Sequence, residues 1–221
     1  MNLATPSLLL TVKAKVWVAA VFLVVVPVFF QAPLVRSLPW LSLTMTAAWL
    51  LAGISLSSRA ATRLWGDLIT GFSWTWLAGS VYWGWLRFEP LWHLPVEAIG
   101  FPIAIVLLAQ GRSRVGSYFF LGSLFGTAVT DLYIYLNDLL PMWRQVMIAD
   151  PDWVPVIMRQ AASSLQNTVS FSQGLLIALG LFTVGILPLQ SKQACWWAFS
   201  GAVLSTLVVD LLFLGSAFYF R

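Results

Sequence analysis

Two carboxylates stand inside long apolar runs. Asp131 lies in "GSLFGTAVTDL" (Gly122–Leu132) and Asp210 in "GAVLSTLVVDL" (Gly201–Leu211). An ionisable side chain at such a position is expensive in lipid, so it is expected to face a bundle interior or a wet cavity and to mark an ion or proton path. Each follows a threonine by four residues, Thr127 and Thr206, a helical spacing that puts the hydroxyl on the carboxylate's face. The two segments share Gly, Thr, Val, Asp and Leu in register, as transporter repeats do. Five matches in eleven mostly apolar positions also arise by chance. Arg36, Arg87 and Arg144 are available to pair with either acid.

A second group, Arg87, Glu89, His93 and Glu97, crowds one short stretch. Glu89, His93 and Glu97 recur every four residues and would share a face if the helix were unbroken. Pro90 and Pro95 oppose an unbroken helix. Three chemistries suit the group: a structural network of charge pairs near lipid, a proton relay or substrate contact, and a metal or chlorophyll-magnesium site with His93 as ligand. His93 is the chain's one histidine and Cys195 its one cysteine. That excludes bis-histidine haem, an HExxH zinc site and any CxxC centre. No phosphate loop and no nucleophile elbow is present, and no Ser–His–Asp set stands out by spacing. No catalytic residue is assigned.

These side chains must be positioned by elements that suit lipid. The chain has 221 residues, 60% of them hydrophobic and 9% charged. A soluble domain is about half apolar and about a quarter charged. A soluble enzyme, a disordered tail and a coiled coil are excluded, and the net charge of +4, scattered in ones and twos, does not suggest nucleic acid. The expected fold class is all-α: one integral membrane domain over 1–221, a bundle of about seven spans, with six or eight the alternatives. A spanning helix needs about 20 apolar residues. The stretches are Val16–Val35, Leu38–Leu56, Asp67–Leu86, Leu94–Gln110, Val115–Leu140, Ser164–Leu187 and Ala194–Phe220. The fourth, with Pro95 and Pro102, is short and either tilted, broken or re-entrant. The run after Lys13 and Lys15 lacks a small-x-small cleavage pattern and reads as a retained first span.

Loop charges set the orientation. Lys13, Lys15, Arg59, Arg63, Arg112, Arg114 and Lys192 fall on one side, and Arg36, Arg87, Arg144, Arg159 and Arg221 on the other. Seven against five puts the N-terminus on the cytoplasmic side. The one long connection, about 141–163, reads as an interfacial linker. Asp150-Pro151 would start its turn and Asp152 cap a following helix. Trp143, Met147, Trp153, Ile157 and Met158 suit the headgroup level. Six of the 13 tryptophans lie between Trp65 and Trp92. They read as an interfacial belt or as the lining of an aromatic cavity or pigment contact. Gly122 and Gly126 form a GxxxG, which lets helices approach closely. That face lies opposite Asp131.

Val24–Leu43, "GFSWTWLAGSVYWGWLRFEPLWHLPVEAIGFP" (Gly71–Pro102), Leu121–Leu136 and Pro141–Met147 resemble a family of multi-pass membrane proteins found in cyanobacteria and catalogued as a domain of unknown function. The resemblance implies a cyanobacterial thylakoid or plasma membrane and a link to photosynthetic complexes, with chlorophyll or carotenoid as conceivable cofactors. It brings no ligand or catalytic residue. "GFSWTWLAGSVYWGW" is also similar to the membrane part of apolipoprotein N-acyltransferases, whose hydrolase-type domain would not fit in this length.

The expected function is a non-enzymatic membrane protein, in contact with the bilayer and with a larger photosynthetic or respiratory complex as accessory, assembly or small-subunit partner. The alternative is a proton- or cation-coupled small-solute transporter, or a component of one, using Asp131, Asp210, Thr127 and Thr206. A third is a membrane-embedded enzyme on lipid or isoprenoid substrates.

Overall fold

Among residues 6–219, which the computed structural model describes (side chains over 11–215), every regular element is a helix. Lipid offers the backbone no partners, so each apolar run closes its hydrogen bonds within itself. The helices are α1 (Pro6–Ser37), α2 (Pro39–Ser57), α3 (Arg63–Val81), α4 (His93–Glu97), α5 (Phe101–Ala109), α6 (Arg114–Leu136), α7 (Leu140–Ile148), α8 (Val154–Ser164), α9 (Thr168–Ile186) and α10 (Ala194–Tyr219). The protein is a polytopic helical bundle. Its most extensive contacts join α10 to α6 and α1, and α3 to α2 and α6. Val16, Ala20, Leu68, Phe72, Trp76, Phe119, Ala198 and Ala202 form the core where α1, α3, α6 and α10 meet.

Six helical stretches are long and apolar enough to cross a membrane: Thr11–Ser37, Pro39–Ser57, Pro90–Ala109, Arg114–Leu136, Thr168–Gln190 and Ala194–Gly215. The remaining expected span, 67–86, is α3 continued by a π-helical turn (Tyr82–Leu86), and it is not among the six. The reason is its surroundings. α3 buries Gly66, Gly71, Ser73, Gly79 and Ser80, small and polar residues that face protein. It nonetheless runs between the same two ends of the bundle as α6. Asp67 near its start meets residues at the α6 N-terminus, and the chain just past its end meets Trp143.

Asp67 does what the α6 N-terminus cannot do for itself. Ser113, at the N-cap position, sits in the left-handed region (φ 47°) and makes no cap of its own. The Asp67 carboxylate accepts from Val115 N (2.9 Å), Gly116 N (3.1 Å) and the Ser113 hydroxyl. These are amides a helix start leaves unpaired, and the helix dipole favours a negative charge there. Asp67→Ala is expected to lower bundle stability by about 1–2 kcal/mol, as other lost N-caps do. Denaturation in mixed micelles reads this directly, and an unchanged midpoint would refute the cap.

A second polar tie crosses α1, α2 and α3. Gln31 Nε2 donates to Trp76 O (2.7 Å) and Ser80 Oγ (3.0 Å). Ser42 and Ser80 hydroxyls meet at 2.8 Å, and Trp76 Nε1 donates to Ser42 O at 2.8 Å. Each such bond in a membrane is worth about 0.6 kcal/mol on average, so the tie specifies register more than it stabilises.

The fourth span is broken. It runs as a 3-10 turn (Pro90–Trp92), α4, a second 3-10 turn (Ala98–Gly100) and α5. Pro90, Pro95 and Pro102 each fall in the first turn of a piece, where a missing N–H costs nothing. The long connection folds as α7 and α8. Its turn forms at Asp150, whose carbonyl accepts from Trp153 N at 2.9 Å. The expected cap does not. Trp153 occupies the N-cap of α8 with no side-chain bond, because the turn extends past Asp152.

Candidate functional site

The π turn widens α3 at its end, and the two residues that open it, Tyr82 and Trp83, both reach His93. His93 begins α4, directly after the 3-10 turn that Glu89 caps by accepting from Leu91 N at 3.2 Å. From α6, Asp131 points back at it. His93 Nδ1 lies 2.9 and 3.0 Å from the two Asp131 oxygens, close enough to donate to both. One turn further along α4, Glu97 Oε1 stands 4.0 Å from His93 Nε2. The imidazole therefore lies between two carboxylates, one on each ring nitrogen. Side-chain exposure is 13% for His93 and Glu97 and 3% for Asp131.

Aromatic rings close around this pair. Ring centroids of Tyr82, Trp143 and Trp83 lie 4.5, 5.3 and 6.0 Å from that of His93. Trp143 comes from α7 and stacks on Trp83 at 6.1 Å and 12°. Its indole N–H donates to Arg87 O at 3.3 Å. The Tyr82 hydroxyl is buried without a hydrogen-bond partner. Beyond the rings, Arg144 grips Glu89 through Nε (3.2 Å) and Nη2 (2.8 Å), with both side chains about two-fifths exposed. Arg144 holds the Glu89 carboxyl below the usual carboxylate range, chiefly by hydrogen bonding, and is itself pushed up by the same bond.

The structure thus joins residues that the sequence presents as two groups. His93 and Glu97 keep the shared face that their spacing implies, but Glu89 leaves it for Arg144, because the chain breaks at Pro90. Arg87 takes no carboxylate. Its Nη1 turns to Trp83 O (2.8 Å) and Gly84 O (3.3 Å), and its guanidinium lies 4.7 Å over the Phe88 ring. The i−4 threonines do not serve the acids. Asp131 is taken by His93, and Asp210 Oδ2 accepts from Thr130 (2.9 Å) on the neighbouring helix, not from Thr206. Thr206 instead packs against Gly126, and Thr127 takes no part in either pair. Gly122 and Gly126 of α6 pack against α10: a Cβ at Gly122 would fall 2.7 Å from Phe199 O, and one at Gly126 would overlap the Thr206 hydroxyl. No arginine pairs with Asp131 or Asp210 among the described residues. Nor is any group of three or more His, Cys, Asp or Glu side chains there placed to hold a metal ion.

Sequence reasoning did not single out Tyr82, and it placed Trp143 at the headgroup level of the long connection. It also missed the joining of His93 to Asp131. A family model described as "Protein of unknown function (DUF3120)" matches residues 20–218. No curated protein and no solved structure matches the chain.

Proposed function

The chain belongs to the DUF3120 family, and we propose that this member is a proton-coupled small-solute transporter, or the proton-binding component of one. The observation that carries the reading is the His93 imidazole inside the bundle, bonded to Asp131 at Nδ1 and with Glu97 4.0 Å from Nε2. Lipid penalises such a group, and ionisable residues inside membrane bundles mark proton and substrate paths. The imidazole has one nitrogen for each carboxylate. A proton accepted at Nε2 from the Glu97 side and released at Nδ1 to Asp131 crosses the ring without the ring moving. Asp210, held by Thr130 at the neighbouring position of α6, supplies a further acid at the same depth.

The orientation belongs to this reading. The N-terminus lies on the cytoplasmic side. Lys13, whose Nζ reaches Ser191 O (3.5 Å), and Arg114, which reaches Gln193 (2.9 Å), gather at that end. The His93 site then opens toward the opposite face.

A pH jump applied to the protein in a supported membrane tests the proposal. The native chain is expected to give a transient charge displacement. His93→Gln and Asp131→Asn are each expected to reduce it at least tenfold, with Arg36→Gln unchanged. A native signal no larger than that of bare lipid removes the reading.

A second reading is a partner subunit of a photosynthetic complex in a cyanobacterial thylakoid, for which α9 would supply the contact face. α9 packs on α10 but turns Val169, Phe171, Leu175, Leu176, Leu179, Phe182 and Ile186 outward. Co-migration with a large pigmented complex after mild solubilisation supports it. A free colourless particle counts against it.

A further inference from the structure

We infer that α7 is a lid over the His93 site, held shut by the Glu89–Arg144 ion pair, so that proton access to the imidazole from that end of the bundle is gated. The inference rests on the proton-coupled reading for its purpose, but its geometry stands apart.

Trp143 covers His93 while belonging to a different segment from every other group at the site. Tyr82 and Trp83 are fixed by the π turn, Asp131 by α6, and His93 and Glu97 by α4. Trp143 alone arrives on α7, a nine-residue helix bounded by two changes of chain direction. On one side Asp138 adopts a left-handed conformation (φ 52°), and on the other Ala149 is extended. α7 packs chiefly on α8 and on the 3-10 turn at Pro90–Trp92, with no extensive contact to a spanning helix. It is tied down at two places. One is the Trp143 indole, stacked on Trp83 and bonded to Arg87 O. The other is Arg144, doubly bonded to Glu89 in the loop that leads into the His93 turn. The two ties are consecutive residues, so releasing the ion pair leaves the indole's own contacts as the hold on that stretch of α7.

The ion pair is exposed, so it is a small and adjustable tie. Exposed pairs weaken as salt rises. Glu89 has its affinity for protons lowered in the closed state, so the tie is fully present above the ordinary glutamate range. It is lost only as pH falls through that lowered value. The charged and titratable groups around His93 are Asp131, Glu97 and Tyr82, with Tyr135 of α6 and Glu89 and Arg144 beyond them. Acid acting on Glu89 would open the lid at the moment protons are abundant outside it.

Because the chain has one histidine, its reaction with diethyl pyrocarbonate, followed by mass spectrometry on the peptide that carries His93, reads this site. The reagent acylates the neutral imidazole. The rate against pH therefore gives two quantities for the full chain in nanodiscs: a midpoint, set by the proton affinity of His93, and a plateau, set by access. Arg144→Gln and Glu89→Gln are each expected to raise the plateau about fivefold, the upper range for an exposed doubly bonded pair, and to leave the midpoint within half a pH unit. The swap Glu89→Arg with Arg144→Glu is expected to restore a slow plateau, which a merely misfolded variant would not do. Native, single-variant and swap plateaus agreeing within twofold overturn the lid, whatever the midpoint does. A midpoint unmoved by Asp131→Asn overturns the proton-site reading and leaves the lid standing.

Discussion

Asp131→Ala is expected to cost the bundle roughly 3 kcal/mol, in the range found when one member of a buried charge pair is removed. The side chain is 3% exposed, and its two oxygens are the acceptors for His93 Nδ1. Alanine leaves that N–H facing Tyr82, Trp83 and Trp143, none of which offers a carboxylate or carbonyl in its place. Asp131→Asn keeps an acceptor oxygen and the volume, so its cost is expected to be about 1 kcal/mol, that of an ordinary hydrogen bond weakened but not lost. It separates fold from the proposed function: the asparagine variant is expected to fold and to lose the proton-coupled signal. The double variant His93→Ala with Asp131→Ala is expected to cost less than the sum of the single changes by about 1–3 kcal/mol, the coupling typical of directly contacting groups. Additive costs, read from denaturation midpoints in mixed micelles, would mean that the two side chains do not hold each other.

The second large effect is steric. Gly116→Val is expected to abolish the folded bundle, a loss of roughly 4 kcal/mol or more. At the crossing of α3 and α6 the backbones touch. A Cβ on Gly116 would overlap the Asp67 carbonyl, and one on Gly71 would overlap the Gly116 carbonyl. Both obstacles are main chain, so no rotamer change relieves them. The same crossing carries the Asp67 cap, so moving the helices apart also unpairs the α6 N-terminus. Gly180, in α9, has nothing within 4 Å of its hypothetical Cβ. Gly180→Ala is expected to behave as native, since alanine suits a helix better than glycine. A monodisperse Gly116→Val protein with native thermal stability would show that the crossing is looser than described.

The sequence made the helices legible because lipid leaves few alternatives to them. It made the third span's special position harder to see. Gly66, Gly71, Ser73, Gly79 and Ser80 lower the hydropathy of α3 for the same reason that they allow it to be central, namely that its neighbours are helices. GxxxG flagged Gly122 and Gly126 because both glycines lie on one helix. Gly71 and Gly116 belong to different helices 45 positions apart, and no local pattern couples them. The acids were visible as costly residues, but their partners were not. Thr127 and Thr206 were attractive by spacing, yet a hydroxyl four residues back competes with the helix's own carbonyls and with neighbouring helices. Depth would have served better. Asp131 lies five residues before the end of α6, about 8 Å at helical rise. His93 opens the fourth span at that same end. Tyr82 and Trp143 carried no signal of their own, because a phenol or indole suits the membrane interface and a site lining equally well.

The most direct test is an NMR spectrum of the chain in nanodiscs with histidine labelled at nitrogen. One imidazole will be seen. The account predicts an Nδ1-bound proton that exchanges slowly with water in the native protein and rapidly, with a shifted resonance, in Asp131→Asn. Superimposable native and variant spectra, or a ring exchanging freely with solvent from the outset, would contradict it.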